Sequence, residues 1–342
     1  MATLTQSTLS LVDDMKLRGV DGKYQIIEAL NDTSQDILTD FMWEECNDGT
    51  KHIHGIRTGL PSVAWGALYQ GIPQSKSASQ QVTDTTGFVE GLSSVDTRLL
   101  KVAKDEALLR SSEGRSFEEA MAQELVSALF YHNSATNPRL PKGLGARFGA
   151  LANSGAGNQI VDAGGTGSDN TSIWFVEWSD HGVKALYPQG TEMGIHQEDK
   201  GEQKAWDENG DPFFVKEELI EAHLGFAVKD WRRVARVANI DISELKAGNV
   251  DLYGFARQAY YKLHNRRVSK VRDQNATSNL VMYANKDIIE AMDAIGTNSG
   301  ANDNFTRLRP MELQGKEIMS YRTMPIRETD ALLNTEARVV AA

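Results

Sequence analysis

The sequence predicts an α+β fold. A long amphipathic helix opened by Ser116-Phe-Glu-Glu119 stands in the first half of the chain. Apolar, β-branched runs then cluster together instead of alternating with helices of similar length. A smaller helical group follows across residues 251–295. At 342 residues the chain can build about two lobes around real cores.

The elements follow in order. Residues 1–45 read as helical, because Ile27, Leu30, Ser34, Ile37, Leu38 and Phe41 share one face at spacings of three and four. Such a helix at a chain end docks on its own core or on a neighbour. Residues 51–110 predict a long hairpin-like loop. Its first arm carries Val63, Trp65 and Tyr69 at even spacing, its tip is the polar stretch 74–81, and its second arm runs from Val82 to Glu90. An isolated two-stranded hairpin is marginal in water, so a loop this long needs a supporting surface or stays mobile.

Ser116 at N-cap and Glu119 at N3 form a capping box. Phe117, Met121, Leu125, Ala128, Leu129 and His132 line one face of that helix, which should stop near Asn133, before Pro138 and Pro141. Residues 143–172 are rich in Gly, Ala, Ser and Asn and read mostly as loop. Strands are expected at 173–178 and 183–187 around the turn Ser179–Gly182, and at 225–228 and 233–240. Asp207–Pro212 reads as a tight turn. A helix from about Asp251 to Asn265 turns Leu252, Phe255, Ala259 and Leu263 inward. Leu280–Tyr283 is a strand, and Asn285 caps a helix carrying Ile288, Ile289, Met292 and Ile295, with Gly296 closing it. Short strands and turns fill the last forty residues.

Composition narrows the function. The net charge of −11 argues against a dedicated nucleic-acid binder. One cysteine, Cys46, excludes an intramolecular disulfide framework, a Cys-rich zinc site and a CxxC redox pair. No run of about 18 apolar residues predicts a membrane span, and the first residues carry neither a basic nor an apolar leader pattern. Charge is uneven along the chain. Residues 1–50 hold ten acids against three bases, a balance of −7. Residues 229–272 hold eleven bases, among them Arg232, Arg233 and Arg236, against four acids, a balance of +7. Either these are two solvated faces, or the acidic segment of one copy lies against the basic segment of another.

Motifs for small-molecule chemistry fail one by one. Gly155-Ala-Gly157 and Gly165-Thr-Gly167 lack the third glycine of a dinucleotide fingerprint, where Ile160 and Asn170 stand. The Gly-Lys pairs lack the first glycine of a phosphate loop. His52 and His54 would share a strand face, but no third metal ligand stands at diagnostic spacing. Asp207, Asn209, Asp211 and Glu218 fit a calcium-loop template except at its sixth position, where glycine is required and Pro212 stands. No nucleophile elbow or His-Glu-x-x-His occurs. The reading is therefore no catalytic residue, no cofactor and no metal.

Several segments together resemble one family. They are Ile56-Arg-Thr-Gly-Leu-Pro-Ser-Val63, Tyr69-Gln-Gly-Ile-Pro-Gln-Ser-Lys-Ser77, Gln81-Val-Thr-Asp-Thr-Thr-Gly87, Phe130-Tyr-His-Asn-Ser-Ala-Thr136, the stretch Asp162–Trp174, His196-Gln-Glu-Asp-Lys-Gly-Glu202, and Trp231-Arg-Arg-Val-Ala-Arg-Val-Ala-Asn-Ile240. As an ordered set over about residues 5–300, they resemble tailed-bacteriophage major capsid proteins of a podovirus-like group. The resemblance implies the Hong-Kong-97-type capsid fold. Mapped here, that gives an N-terminal arm (1–50), an extended loop (51–110), a spine helix (111–137), a β-rich peripheral domain (138–245), an axial domain (246–300) and C-terminal strands (301–342). In the commoner family order, the strand-then-helix segment that Leu280–Ile295 resembles precedes the strands resembled by 173–187 and 225–240; here it follows them.

The resemblance also implies function. Copies would form pentamers and hexamers that tile an icosahedral shell around double-stranded DNA, held without sequence preference. Assembly would occur in the host bacterial cytoplasm, with portal, scaffold and cement proteins as candidate partners and no membrane. Leu60, Pro61, Trp65, Tyr69 and Lys76 on the hairpin, with Arg232, Arg233 and Arg236, are the candidate inter-subunit contacts. Some relatives cross-link their shells through a lysine in this loop, the position suggested for Lys76. Two other classes compete: an enzyme with an active site on the 153–170 glycine loop, and an adaptor that presents the hairpin.

Overall fold

The computed structural model describes residues 33–66, 68–69, 71–102, 105–207, 209–264, 279–298, 308–313, 316–322 and 324–341. The chain enters on α1 (Thr33–Asp40). Ile37 and Phe41 are buried in the larger core, and Phe41 meets the Trp178 ring at 4.8 Å. The terminal helix thus docks on its own chain; the part expected before Thr33 lies outside the described residues. A short strand β1 (Trp43–Glu45) leads into β2 (Lys51–Gly59) and the 19-residue β3 (Ala78–Asp96). Their ladder runs from Lys51↔Thr85 to Gly59↔Ala78. The hairpin is therefore present, but its arms differ from expectation. The first arm is 51–59, and the stretch from Ser62 to Tyr69 belongs to the tip, because among the described residues no strand pairs with it.

After α2 (Thr97–Val102) comes α3 (Glu106–Tyr131), 26 residues long. Its N-cap is Asp105, whose carboxylate accepts the Leu108 N–H at 3.1 Å. Ser116 is not a cap. It lies inside the helix and donates its hydroxyl to the Ser112 carbonyl at 3.3 Å. The predicted inward face holds: Met121, Leu125, Ala128 and Leu129 are buried. Gly114 faces the side chains of Gln197 and Glu218 on the sheet, 3.0 and 3.5 Å from where a Cβ would stand.

Beyond α4 (Leu144–Arg147) the chain forms β4 (Ile160–Asp162), β5 (Asn170–Trp178), β6 (Val183–Tyr187), β7 (Ile195–Trp206), β8 (Pro212–Val228) and β9 (Val234–Asp241). Then follow α5 (Ile242–Lys246), α6 (Leu252–Lys262), β10 (Asn279–Ala284), α7 (Lys286–Asn298), β11 (Leu308–Leu313), β12 (Lys316–Tyr321) and β13 (Met324–Glu328). The turn at 179–182 exists, with Gly182 N–H donating to Ser179 at 3.0 Å. Yet β5 and β6 meet only at Trp178↔Val183; β6 pairs instead with β8 and β1. Helix α7 passes through Gly296 rather than ending there.

Two packing bodies share the sheet. In the first, β8 lies between β3 and β7 in antiparallel ladders, and α3 crosses this three-stranded ribbon. In the second, β5 lies between β9 and β10, and β13 extends the sheet in parallel with β10. Period-2 alternation explains β5, which is buried along its whole length. Trp174, Val176 and Trp178 enter the core with α1 and α3. Ile173 and Phe175 enter the core with α6 and α7. This second core joins β5 and β9 to α6, β10 and α7, so no break between cores falls at the expected 245/246 boundary.

Candidate assembly interface

The hairpin base is tied to the body by charge. The Arg147 guanidinium donates to Asp84 at 2.7 Å and to the Phe226 carbonyl at 2.8 Å. Lys229 Nζ donates to Glu44 at 2.6 Å, and Lys184 lies 3.5 Å from the same carboxylate. Between these pairs sit His52 and His54, with ring centroids 5.9 Å apart. His54 Nδ1 is 3.9 Å from Asp84, and His52 Nε2 is 3.9 Å from Glu44. Burial pushes both imidazoles below their usual range, and the neighbouring carboxylates only partly oppose it. Among the described residues, no group of three His, Cys, Asp or Glu side chains is placed to hold a metal ion.

The tip is the opposite in character. Leu60, Val63, Trp65, Leu68, Tyr69 and Ile72 run from 81% exposed at Leu60 to full exposure at Trp65 and Tyr69. Pro61 and Lys76 are exposed beside them. Ser75 Oγ donates to the Ser62 carbonyl at 2.7 Å, tying the two sides of the tip together. Tyr69 holds φ at 67°, a left-handed conformation costly for a bulky side chain. Six large apolar groups on one solvent-exposed loop form a patch that soluble monomers rarely carry. The structure thus brings Leu60, Pro61, Trp65, Tyr69 and Lys76 onto one tip.

The three arginines are elsewhere and already engaged. Arg232 is bidentate to its neighbour Asp230 at 2.9 Å. Arg233 meets Glu177 at 2.5 Å. Arg236 is buried within its own chain, 5% exposed, rather than presented on the surface like the tip residues. Its guanidinium donates to Glu336 at 2.8 Å, to Ser172 at 3.0 Å and to the Phe148 carbonyl at 2.9 Å, and it lies over the Trp174 ring. Tyr131 donates to the other Glu336 oxygen at 2.6 Å, and burial together with that carboxylate drives its phenol far up. This polar knot ties β9, α3 and the chain end together. Position 236 lies on the same strand face as the core-facing Val234 and Ala238, the signal that could have located it.

The 153–170 loop supplies packing. A Cβ on Gly157 would meet the Ala150 carbonyl at 2.7 Å, and Gly165 N–H donates to the Asn239 carbonyl at 2.9 Å.

The family model for the major capsid protein GP7 matches residues 19–340. The chain belongs to the GP7 major capsid protein family. A solved structure of bacteriophage Epsilon15 agrees: 30% identity, 99% of each chain covered, TM-score 0.74. The bacteriophage JBD30 capsid covers 96% of each chain at 11% identity, with a TM-score of 0.47 that adds no weight. No curated protein matches. The capsid protein has the Hong-Kong-97-type α+β fold. Its role is structural, in the virion shell that it builds with its own copies. The enzyme and adaptor readings find no support.

Proposed function

We propose that copies of this capsid protein close into pentamers and hexamers that tile an icosahedral shell around double-stranded DNA, in the host cytoplasm. The hairpin of each copy lies across the adjacent subunit. The observation that carries this reading is the tip: six large apolar side chains stand exposed, and among the described residues no surface of their own chain covers them. Burying each is worth roughly 1.5–3 kcal/mol. Repeated around closed rings, contacts of that size hold a lattice without disulfides.

Within this reading β2 and β3 with the 60–77 tip form the extended loop, and α3 is the spine helix. The β3–β8–β7 ribbon is the peripheral domain. The body of β5, β9, β10 and β13 with α6 and α7 is the axial domain. A net charge of −11 suits a wall that encloses DNA without gripping it. Portal, scaffold and cement proteins are further partners. Lys76, exposed on the tip, is placed for a cross-link to another subunit. Electron microscopy of the expressed protein tests the proposal: closed shells, tubes or rings are expected, and a monodisperse monomer at all concentrations would refute it. Subunits from intact shells that run as monomers in denaturing gels would end the cross-link.

A further inference from the structure

After β13 the chain runs from Thr329 to Ala341 as a strap without helix or strand. Thr329, Leu332, Glu336 and Val339 are its buried residues, and Leu333 and Val340 are more than half exposed. Hydrogen bonds to both packing bodies hold it. At its start the Thr329 N–H donates to the Ala284 carbonyl at 3.0 Å, and Asn285, at the head of α7, donates to the Leu332 carbonyl at 2.5 Å. In its middle the Leu333 N–H donates to the Tyr131 hydroxyl of α3 at 2.9 Å, and that hydroxyl donates to Glu336. The Glu336 N–H donates to the Asn170 carbonyl of β5 at 2.9 Å. Toward its end the Asn239 side chain of β9 takes both backbone groups of Val339. It accepts the N–H at 2.7 Å and donates to the carbonyl at 2.8 Å.

Asn239 singles the strap out. It is 2% exposed and holds φ at 59° inside a strand. A left-handed residue persists there only where surrounding bonds over-determine it, and two of those bonds come from the strap. Arg236 has the same dependence, because its carboxylate partner is Glu336 of the strap. Both stand on β9, the strand the two bodies share: Val234 and Ala238 enter the larger core, and Ala235, Val237 and Ile240 enter the second. The apolar stake of the strap is small by comparison. Leu332 and Val339 are its buried contribution to the larger core, and the second core holds none of its residues. Each body therefore keeps its own core when the strap leaves, while β9 loses the partners of a buried cation and of a left-handed asparagine. We infer that residues 329–341 form a clasp. It opens without unfolding either body, and closed it fixes the two bodies in the one relation that lets a copy join others. Copies with the clasp closed enter particles, and copies with it open stay free. This gating rests on the assembly proposed above.

Hydrogen exchange on the full, unassembled chain reads the opening. The Leu333, Glu336 and Val339 amides should exchange as one group, about tenfold or more faster than the ladder amides of β5. Exchange of all of them at the rate of β5 overturns the clasp. Asn239→Gly tolerates the left-handed backbone and removes the side-chain bonds to Val339. It should speed the strap amides by a further factor of about ten, leave the β5 amides unchanged and cut particle yield about tenfold. An unchanged strap rate overturns the clasp, and particles at parental yield from a loosened strap overturn the gating. If Asn239→Gly does not fold, Leu332→Ala carries the same readouts, since Leu332 seats the strap in the larger core. Absence of particles from the unmodified chain is a different result. It removes the assembly proposal itself, and exchange on the free chain still decides the clasp.

Discussion

Lys229 donates its ammonium to Glu44 of the same chain at 2.6 Å. These residues come from the acidic first segment and the basic 229–272 segment, which the sequence sets up as complementary surfaces. At this point the complementarity is satisfied within one copy, and it seats the hairpin base on the body. Burial alone would raise the Glu44 carboxyl. The hydrogen bond and charge of Lys229, joined by Lys184 and His52, outweigh it and hold the group below its ordinary value of 4.5. The carboxylate is therefore favoured in the folded chain, and its contribution is full above pH 4.5 and lost as pH falls below it. Lys229→Ala should cost roughly 1–2 kcal/mol near neutral pH, and less below pH 4, as read by denaturant melts at both values.

The histidine pair is shifted downward like Glu44, but by burial rather than by a partner's charge, and it responds to pH in the same direction. Both imidazoles sit below their ordinary 6.5 because burial disfavours the charged form. The unfolded chain therefore binds more protons from pH 6.5 downward, so stability is full above 6.5 and drops as pH falls below it. Lys184 and Lys229 resist added positive charge there, while Glu44 and Asp84 partly accommodate it. Replacing His52 and His54 by Phe should flatten the pH dependence of hydrogen exchange across residues 51–59 between pH 7.5 and 5.5. An unchanged slope would remove the histidines from the account.

Arg236 and Glu336 form a buried pair, so removing one partner leaves an uncompensated charge. Arg236→Ala should destabilise the fold by roughly 3–5 kcal/mol, and the double change with Glu336→Ala should cost clearly less than the sum. Thermal or denaturant melts of the unassembled chain decide this. Arg236→Glu would fail at folding, before assembly, whereas Arg232→Glu should fold normally.

At the start of α3, Asp105→Ala should cost about 1 kcal/mol, and Ser116→Ala should be near neutral. Equal costs in denaturant melts would restore the shorter helix.

That contrast shows what is legible in this sequence. The second half of α3, the faces of α6 and α7, and β5, β9 and β10 are read correctly because their apolar residues repeat at the period of the element that buries them. The first turns of α3 carry Arg110, Ser111, Ser112, Glu113 and Gly114, a run with no apolar period. Strand β7, with Glu198, Asp199, Lys200, Glu202 and Lys204, also escapes, because it is held by pairing with β8 rather than by burial. The alternation at Val63 and Trp65 misleads in the other direction. It looks like a strand, yet those side chains are exposed and no strand among the described residues pairs with them. Of the candidate contacts, the tip group is legible as exposed apolar sequence. For Arg236 only the burial is legible, from the strand face it shares with Val234 and Ala238; its partner Glu336 lies 100 residues away.

The central claim is that the tip is an assembly surface. The most direct measurement is sedimentation velocity with electron microscopy on the full chain and on a variant carrying Trp65→Ser and Tyr69→Ser. Both positions are fully exposed, so the variant should melt like the parent. The account predicts closed particles from the parent and only small, folded species from the variant. Particles of the same size and yield from the variant would contradict it.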